Sequence, residues 1–282
     1  MPAPITSYQQ AEKILAAQLS IDLCLPEQAI DIAQQHGSTH LSARRLPLDE
    51  MHPARRRYRD HWELRLINYR GLTVICAQHP RVREAADNLL AGDNGNWVGD
   101  YSELRKLNDY LTPYALQLSG TSLFYTPGKD FFAEVPVGAG KDAPAQRAAP
   151  GDYDFCWLQP QDFAPLKGDP NFENALGFKE LRPDVQVLGA YTGGELVALA
   201  GASEDSDWCR QIGIDVLPAH RGRGLASYLV RELAVSVLAE GYVPFYGTSP
   251  SHIISQQVAL KAGLRPTWWE FVSTSLNEIS VD

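Results

Sequence analysis

The stretch Ile212-Gly-Ile-Asp-Val-Leu-Pro-Ala-His-Arg-Gly-Arg-Gly-Leu-Ala-Ser227 decides the reading of the C-terminal half of this chain. Cys209 to Leu217 reads as a buried strand. It runs into a turn holding Gly222 and Gly224. From there Leu225, Leu229, Leu233 and Val237 recur at helical spacing, and Gly241 stops the helix expected over 224–240. A strand that passes through a glycine turn into a helix makes an anion site. Glycine lets the backbone approach a ligand without an intervening Cβ. The first N–H groups of a helix have no partner within it, and its dipole adds positive potential there. Arg221 and Arg223 contribute full charges. A pyrophosphate suits such a turn.

Working outward, Asp154–Leu158 is a short apolar strand, followed by helical stretches near 161–167 and 171–178. Val185–Tyr191 and Leu196–Ala200 flank Thr192-Gly-Gly-Glu195, and paired glycines between two apolar runs predict a tight hairpin. Val243–Tyr246 is a strand, 251–262 a helix stopped by Gly263, and 264–276 one or two final strands. The glycine turn is not a Walker loop, because Leu225-Ala226 stand where Lys-Ser/Thr is needed. A dinucleotide site needs a third glycine at position 227, which is Ser, and an acidic residue after the second strand, where Gly247-Thr248 occur. Gly247-Thr-Ser-Pro-Ser251 is no nucleophile elbow, since the residue after Ser249 is Pro250, which has no N–H for an oxyanion.

Arg221-Gly-Arg-Gly-Leu-Ala226 resembles the acyl-CoA signature of the GNAT N-acetyltransferase superfamily, Arg/Gln-x-x-Gly-x-Gly/Ala. Ser255-Gln-Gln-Val-Ala-Leu-Lys-Ala-Gly-Leu264 is similar to the second motif of that family, which ends in Gly-Phe. The resemblance spans residues 153–282 and implies an α/β (α+β) fold, a mixed and mostly antiparallel sheet flanked by helices. It implies acetyl-CoA as co-substrate, with the diphosphate on the N–H groups of Gly222, Arg223, Gly224, Leu225, Ala226 and Ser227 beside Arg221. The pantetheine arm would lie along the backbone edge at Ile214 and Val216, an augmentation of the sheet. The thioester would then occupy a gap between that strand and Val243–Tyr246, its carbonyl polarised by an N–H near Val216. His252 and Ser255 share a helix face expected to meet the cofactor.

Direct attack on a thioester requires a neutral amine, which a general base assists. Asp207, Asp215, Glu204 and Glu270 are the carboxylates available, and spacing singles out none. The family's proton donor to the departing thiolate is a Tyr four residues before the second-motif glycine. Here that position is Ala259, and Tyr246, Ser251, His252 and Ser255 are the substitutes. Trp268 and Trp269 alternate across a strand, either packing or walling an acceptor pocket.

Residues 138–152 are rich in Gly, Ala and Pro and read as a linker. Residues 1–137 read as a mixed, mostly helical domain of unassigned role, or as a degenerate first half of the kind found in two-domain members of the family. A helix is expected to about Leu19, and another from Pro26 to Gly37. Leu72–Ala77 and Ser122–Thr126 read as strands, with helical patterns at 81–91 and 101–118 and a solvated basic run at Arg55–Arg59. The chain has 282 residues, 44% apolar and 21% charged, with a net charge of -9. Residues 151–282 hold 9 basic and 17 acidic residues, a net of -8. Nucleic acid is an unsuitable partner for such a surface, whereas a cationic small-molecule or peptide amine is attracted by it. No apolar run approaches about 18 residues, the N-terminus lacks a signal-peptide core, and the four cysteines form no CxxC pair, so a cytoplasmic, metal-free enzyme acting away from membranes is expected.

Overall fold

A computed structural model of the protein describes residues 2–47, 49–55, 62–90, 97–135 and 148–276. Most of the expected linker and positions 56–59 of the basic run lie outside the described residues. In chain order the elements are α1 (Tyr8–Asp22), α2 (Ala29–Gln35), β1 (His40–Arg44), β2 (Leu64–Tyr69), β3 (Leu72–Ala77), α3 (Pro80–Leu90), α4 (Tyr101–Leu111), β4 (Leu116–Pro127) and α5 (Lys129–Glu134). Then follow β5 (Asp154–Leu158), α6 (Pro160–Phe163), β6 (Asp184–Thr192), β7 (Glu195–Ser203), β8 (Cys209–Val216), α7 (Leu225–Ala239), β9 (Val243–Thr248), α8 (Ile253–Lys261) and β10 (Leu264–Ser275). The chain divides into two compact units, Met1–Leu15 with Tyr125–Pro266, and Ala16–Phe124 with Thr267–Asp282. These units do not follow the linear order of the chain, because the second half of β10 pairs with β2.

The first unit is a mixed, mostly antiparallel sheet in the order β9-β8-β7-β6-β5, of which only β8 and β9 run parallel. Gly193 and Gly194 take φ of 58° and 84°, the two positive values that a type I′ hairpin between β6 and β7 demands. Helix α7 packs across β6, β7 and β8, with Leu229, Val230, Leu233, Ala234 and Val237 fully buried. Each such Leu or Val contributes about 1.5–3 kcal/mol of transfer free energy. Arg231 is buried on the same helix, and both of its terminal nitrogens have partners: it pairs with Glu134 at 2.8 Å, donates to the Ala262 carbonyl at 3.2 Å and lies 4.5 Å from the Phe131 ring. A buried guanidinium is tolerable only with partners of this kind.

The expected helix at 161–167 forms as α6 and a following 3-10 turn, Ala164–Leu166. The expected helix at 171–178 does not form; the segment is a series of turns. Its N–H groups at Asn174 and Ala175 are bound at 2.9 and 2.8 Å by the Asp215 carboxylate on β8, a partner from 40 residues away that no local pattern announces. Phe172, Ala175 and Leu176 meanwhile pack with Phe163, Val187 and Leu199.

The second unit has strand order β1-β3-β2-β10, with β1 and β3 parallel and the other neighbours antiparallel. Strands β1 and β2 were not foreseen, since Leu64-Arg-Leu-Ile-Asn-Tyr69 interleaves charge with apolar residues. Arg65 is buried because Glu270, on the paired strand, meets it at 2.9 Å. Helices α3 and α4 cover a core that includes Leu64, Leu66, Ile75, Leu107 and Leu111. The helix predicted over 101–118 ends at Leu111, where a 3-10 turn that holds Pro113 follows and Ala115 turns left-handed at φ 56° into β4. Trp268 stacks on Phe124 with ring centroids 4.5 Å apart, and Trp269 meets Phe271 edge-on at 4.0 Å, so both tryptophans pack. Among the described residues no helix is long and apolar enough to cross a membrane.

Candidate functional site

Strands β8 and β9 pair over only three rungs, Cys209↔Val243, Arg210↔Pro244 and Gln211↔Phe245. Beyond them each strand continues without the other, and a cleft of about 700 Å³ opens between their C-terminal ends. The backbone direction of β8 in this gap follows from two bonds. Val243 N–H donates to the Trp208 carbonyl towards β9, and Leu217 N–H donates to Val197 towards β7. Backbone groups alternate sides along a strand. Ile212, Ile214 and Val216 therefore turn their N–H and C=O groups towards β9, and those of Ile214 and Val216, beyond the last rung, face the gap. Arg221 Nε donates to the Val216 carbonyl at 3.0 Å, which leaves the Val216 N–H and both polar groups of Ile214 facing the cleft.

The turn at the mouth of the cleft has the predicted build. Gly222 and Gly224 take φ of 76° and 86°, values open to glycine at little cost. Gly224 caps α7, and the first helical bond runs from Tyr228 N–H to its carbonyl. The N–H groups of Leu225, Ala226 and Ser227 thus have no helical acceptor. A Cβ on Gly222 would meet nothing within 4 Å, and one on Gly224 only Pro150 at 3.7 Å. Crowding by protein atoms is therefore not what reserves these positions for glycine.

Of the residues singled out by sequence, Ile214, Asp215, Val216, Arg221, Gly222, Gly224, Leu225, Ala226, Ser227, Tyr246, His252 and Ser255 all border this cleft. Arg223 does not; its Nη1 donates to the Tyr153 hydroxyl at 3.1 Å and its Nη2 to the Ala219 carbonyl at 3.2 Å, outside the cleft. Tyr153 in turn lies 3.1 Å from His220 Nδ1. Asp207 is also displaced. It precedes the first residue of β8, whereas the gap opens after Gln211. At about 3.3 Å per residue, Val216 lies about 23 Å beyond Cys209, where the strand begins. Glu270 is committed to Arg65 in the second unit.

Asp215 borders the cleft but is occupied. Its carboxylate accepts from Asn174 N–H, Ala175 N–H and Asn174 Nδ2 at 2.9, 2.8 and 2.8 Å. Burial pushes its pKa up, and these three bonds oppose the rise. Sequence reasoning missed the partners of this clamp. Gly201 and Gly213 sit opposite each other on β7 and β8, and a Cβ on either would collide with the Ala175 or Asn174 carbonyl. Two facing glycines inside strands were the available signal, since such glycines mark a close backbone approach.

Tyr246 on β9 and Ser255 on α8 meet across the cleft wall with hydroxyls 2.7 Å apart. Burial raises the Tyr246 pKa above 10.0, Ser255 opposes the rise, and Asp215 adds to it. The phenol therefore stays protonated throughout the neutral range. Ser249 is tied to Ser251, its hydroxyl 2.9 Å from Ser251 Oγ, as part of a turn. Ala259, where the resembling family carries Tyr, is completely buried one helical turn after Ser255.

Residues 152–264 match the family model for the acetyltransferase (GNAT) family. A comparison with curated proteins found no match. Among solved structures, the chain is similar to a GCN5-related N-acetyltransferase from Kribbella flavida, with 14% identity, 58% of this chain and 61% of that one covered, and a TM-score of 0.38. It thus spans less than two thirds of that protein. A GCN5-related N-acetyltransferase-like protein from Streptococcus suis gives 14% identity, 74% and 84% coverage, and a TM-score of 0.41. A Salmonella typhimurium protein solved with its cofactor acetyl-CoA gives 15% identity, 46% and 98% coverage, and a TM-score of 0.33. On that sequence match, residues 152–264 of this chain are a domain of the GNAT acetyltransferase family.

Proposed function

We propose that the chain transfers an acetyl group from acetyl-CoA to an amine acceptor by direct attack, both substrates being bound together. The observation that carries this reading is the separation of β8 from β9 after Gln211 and Phe245, with unpaired backbone groups of Ile214 and Val216 lining the opening. Acetyl-CoA supplies a thioester, an acyl group already activated on a good leaving group. The chain's residues do the rest. The N–H groups of Gly222 to Ser227 bind the diphosphate at the dipole end of α7, with Arg221 beside them. The Arg221 bond to the Val216 carbonyl fixes that guanidinium at the mouth of the cleft. Ile214 offers one N–H and one C=O to an extended amide-bearing arm. The Val216 N–H polarises the acyl carbonyl, an oxyanion-type contact. Tyr246, held by Ser255, donates a hydrogen bond to the departing sulfur. Its pKa lies above that of a thiol near 8.5, so it stabilises the thiolate rather than surrendering its proton outright.

Asp215 serves in this reading as the clamp of the cleft wall rather than as a general base, because three hydrogen bonds from Asn174 and Ala175 hold its carboxylate. Arg223 and Asp207 are left out of the site. The net charge of -8 over residues 151–282 favours a cationic acceptor, a small amine or a peptide terminus. The chemistry belongs to residues 153–282, with 138–152 as connector and 1–137 as an accessory part. The test is thiol release: the full chain is incubated with acetyl-CoA and a panel of amines, and amine-dependent free CoA is the expected result. A second reading, an acyl-CoA-binding module without turnover, is favoured by Ala259 in place of Tyr. Tight CoA binding with no thiol release on any amine would select it.

A further inference from the structure

Thr248, the last residue of β9, borders the cleft and is only 8% exposed, yet its Oγ1 is buried with no hydrogen-bond partner. Among the described residues it is the only cleft-lining side chain with such an orphaned buried oxygen. A buried hydroxyl without a partner costs stability, so its retention needs a reason. The register supplies one. The three rungs between β8 and β9 share a constant offset, and carrying it forward sets Thr248 across the opening from Ile214. Thr248 also follows Tyr246 by two residues, which puts both side chains on one face of β9.

We propose that the Thr248 hydroxyl hydrogen-bonds the amide of the CoA pantetheine arm that faces away from β8. The inference rests on the reading of the cleft as an acyl-CoA site. An extended arm with two secondary amides presents polar groups alternately to its two sides, as a strand does. The side towards β8 is met by Ile214 and Val216. The side towards β9 finds no backbone ladder, because the strands have parted, and Thr248 is the group that replaces it. A hydroxyl suits the position because it both donates and accepts. Its Oγ1 and methyl exchange places by one step about χ1, so the hydroxyl turns towards the arm without loss of packing volume.

The experiment measures binding of CoA and of adenosine 3′,5′-bisphosphate, which has no pantetheine arm, to the full chain by calorimetry. Thr248→Val removes the hydroxyl at constant volume. It is expected to weaken CoA about three- to tenfold, the value of one neutral hydrogen bond, and to leave the bisphosphate unchanged. Its thermal midpoint without ligand should equal or exceed that of the wild type, because an unsatisfied group is gone. Thr248→Ser should bind CoA within about twofold of the wild type, and Thr248→Ala gives a second hydroxyl-free variant should the first not fold. CoA affinity unchanged in the hydroxyl-free variants, or lost in parallel with that for the bisphosphate, overturns the role of Thr248 while the cleft reading stands. A wild-type chain that binds neither ligand overturns the cleft reading and this inference with it.

Discussion

Gly201 and Gly213 face each other on β7 and β8, beneath the Asn174–Ala175 peptide. Replacing either with Ala tests whether this contact shapes the cleft wall. Neither glycine has positive φ, so alanine fits the backbone and the cost is steric. The new Cβ meets a backbone carbonyl, which cannot rotate away as a side chain does. If the loop stays in place, overpacking costs about 1–3 kcal/mol. If the loop lifts, it forfeits three hydrogen bonds to the Asp215 carboxylate, each worth about 1.5–3 kcal/mol. The cheaper response is strain, reduced by about 0.4–1 kcal/mol because Ala restricts the unfolded chain. Each single variant should therefore lose about 1–2 kcal/mol. The two new methyls press on adjacent carbonyls of the same dipeptide, so one shift of it relieves both, and the combined loss should fall short of the sum by at least about 0.5 kcal/mol. Urea denaturation of the wild type, both singles and the double measures all four quantities. Single variants within about 0.5 kcal/mol of the wild type, the range of a neutral surface change, or strict additivity in the double, would refute the proposed contact.

Gly224→Val forces a β-branched residue to φ 86° at the cap of α7; CoA affinity should fall at least about tenfold for a stability loss of about 1–3 kcal/mol, and unchanged affinity by calorimetry would contradict the turn's role. Tyr246→Phe should lower kcat about 100-fold, the lower end of the range for acid–base assistance, with the KM for acetyl-CoA nearly constant. Because burial holds that phenol above 10.0, no limb of the wild-type pH profile below this value should vanish in the variant; full kcat in Tyr246→Phe removes it from the mechanism. Affinity for a cationic acceptor should weaken as salt rises, and a flat response would count against charge attraction. Burial, its largest influence, raises the Asp184 pKa above 3.8, with the Phe178 and Gly177 N–H groups opposing. A raised carboxylate pKa favours folding below its ordinary value, and that contribution is lost as pH rises through the folded-state value. Relative to wild type, Asp184→Asn should thus gain stability as pH climbs through the carboxylate range, and a difference that moves the other way would reverse the assignment.

The legible parts of the chain were those whose causes lie close in sequence. The leucine spacing from Leu225, the paired glycines at 193 and 194, and the glycine turn at 222–224 each fix backbone geometry within a few residues, and the structure has α7, the β6–β7 hairpin and the α7 cap at those places. The acyl-CoA resemblance rested on the same short turn together with the second motif at Ser255–Leu264. Tertiary structure alone decided what depends on distant partners. Spacing singled out none of the four carboxylates offered as a base, and the partners of Asp215, Asn174 and Ala175, stand 41 and 40 residues away in sequence. Residues 171–178 read as helical, but the carboxylates of Asp215 and Asp184 take the N–H groups of Asn174, Ala175, Gly177 and Phe178. Arg223 carries charge in any reading, but Tyr153, 70 residues earlier, determines where that charge points. Arg65 became a strand residue only because Glu270 neutralises it across the pairing. The depth at which β8 parts from β9 has no local signature, because a ladder ends where two separate strands diverge. Periodicity sets which side of an element is apolar; which distant group satisfies a buried charge or hydroxyl is settled only when the chain closes on itself.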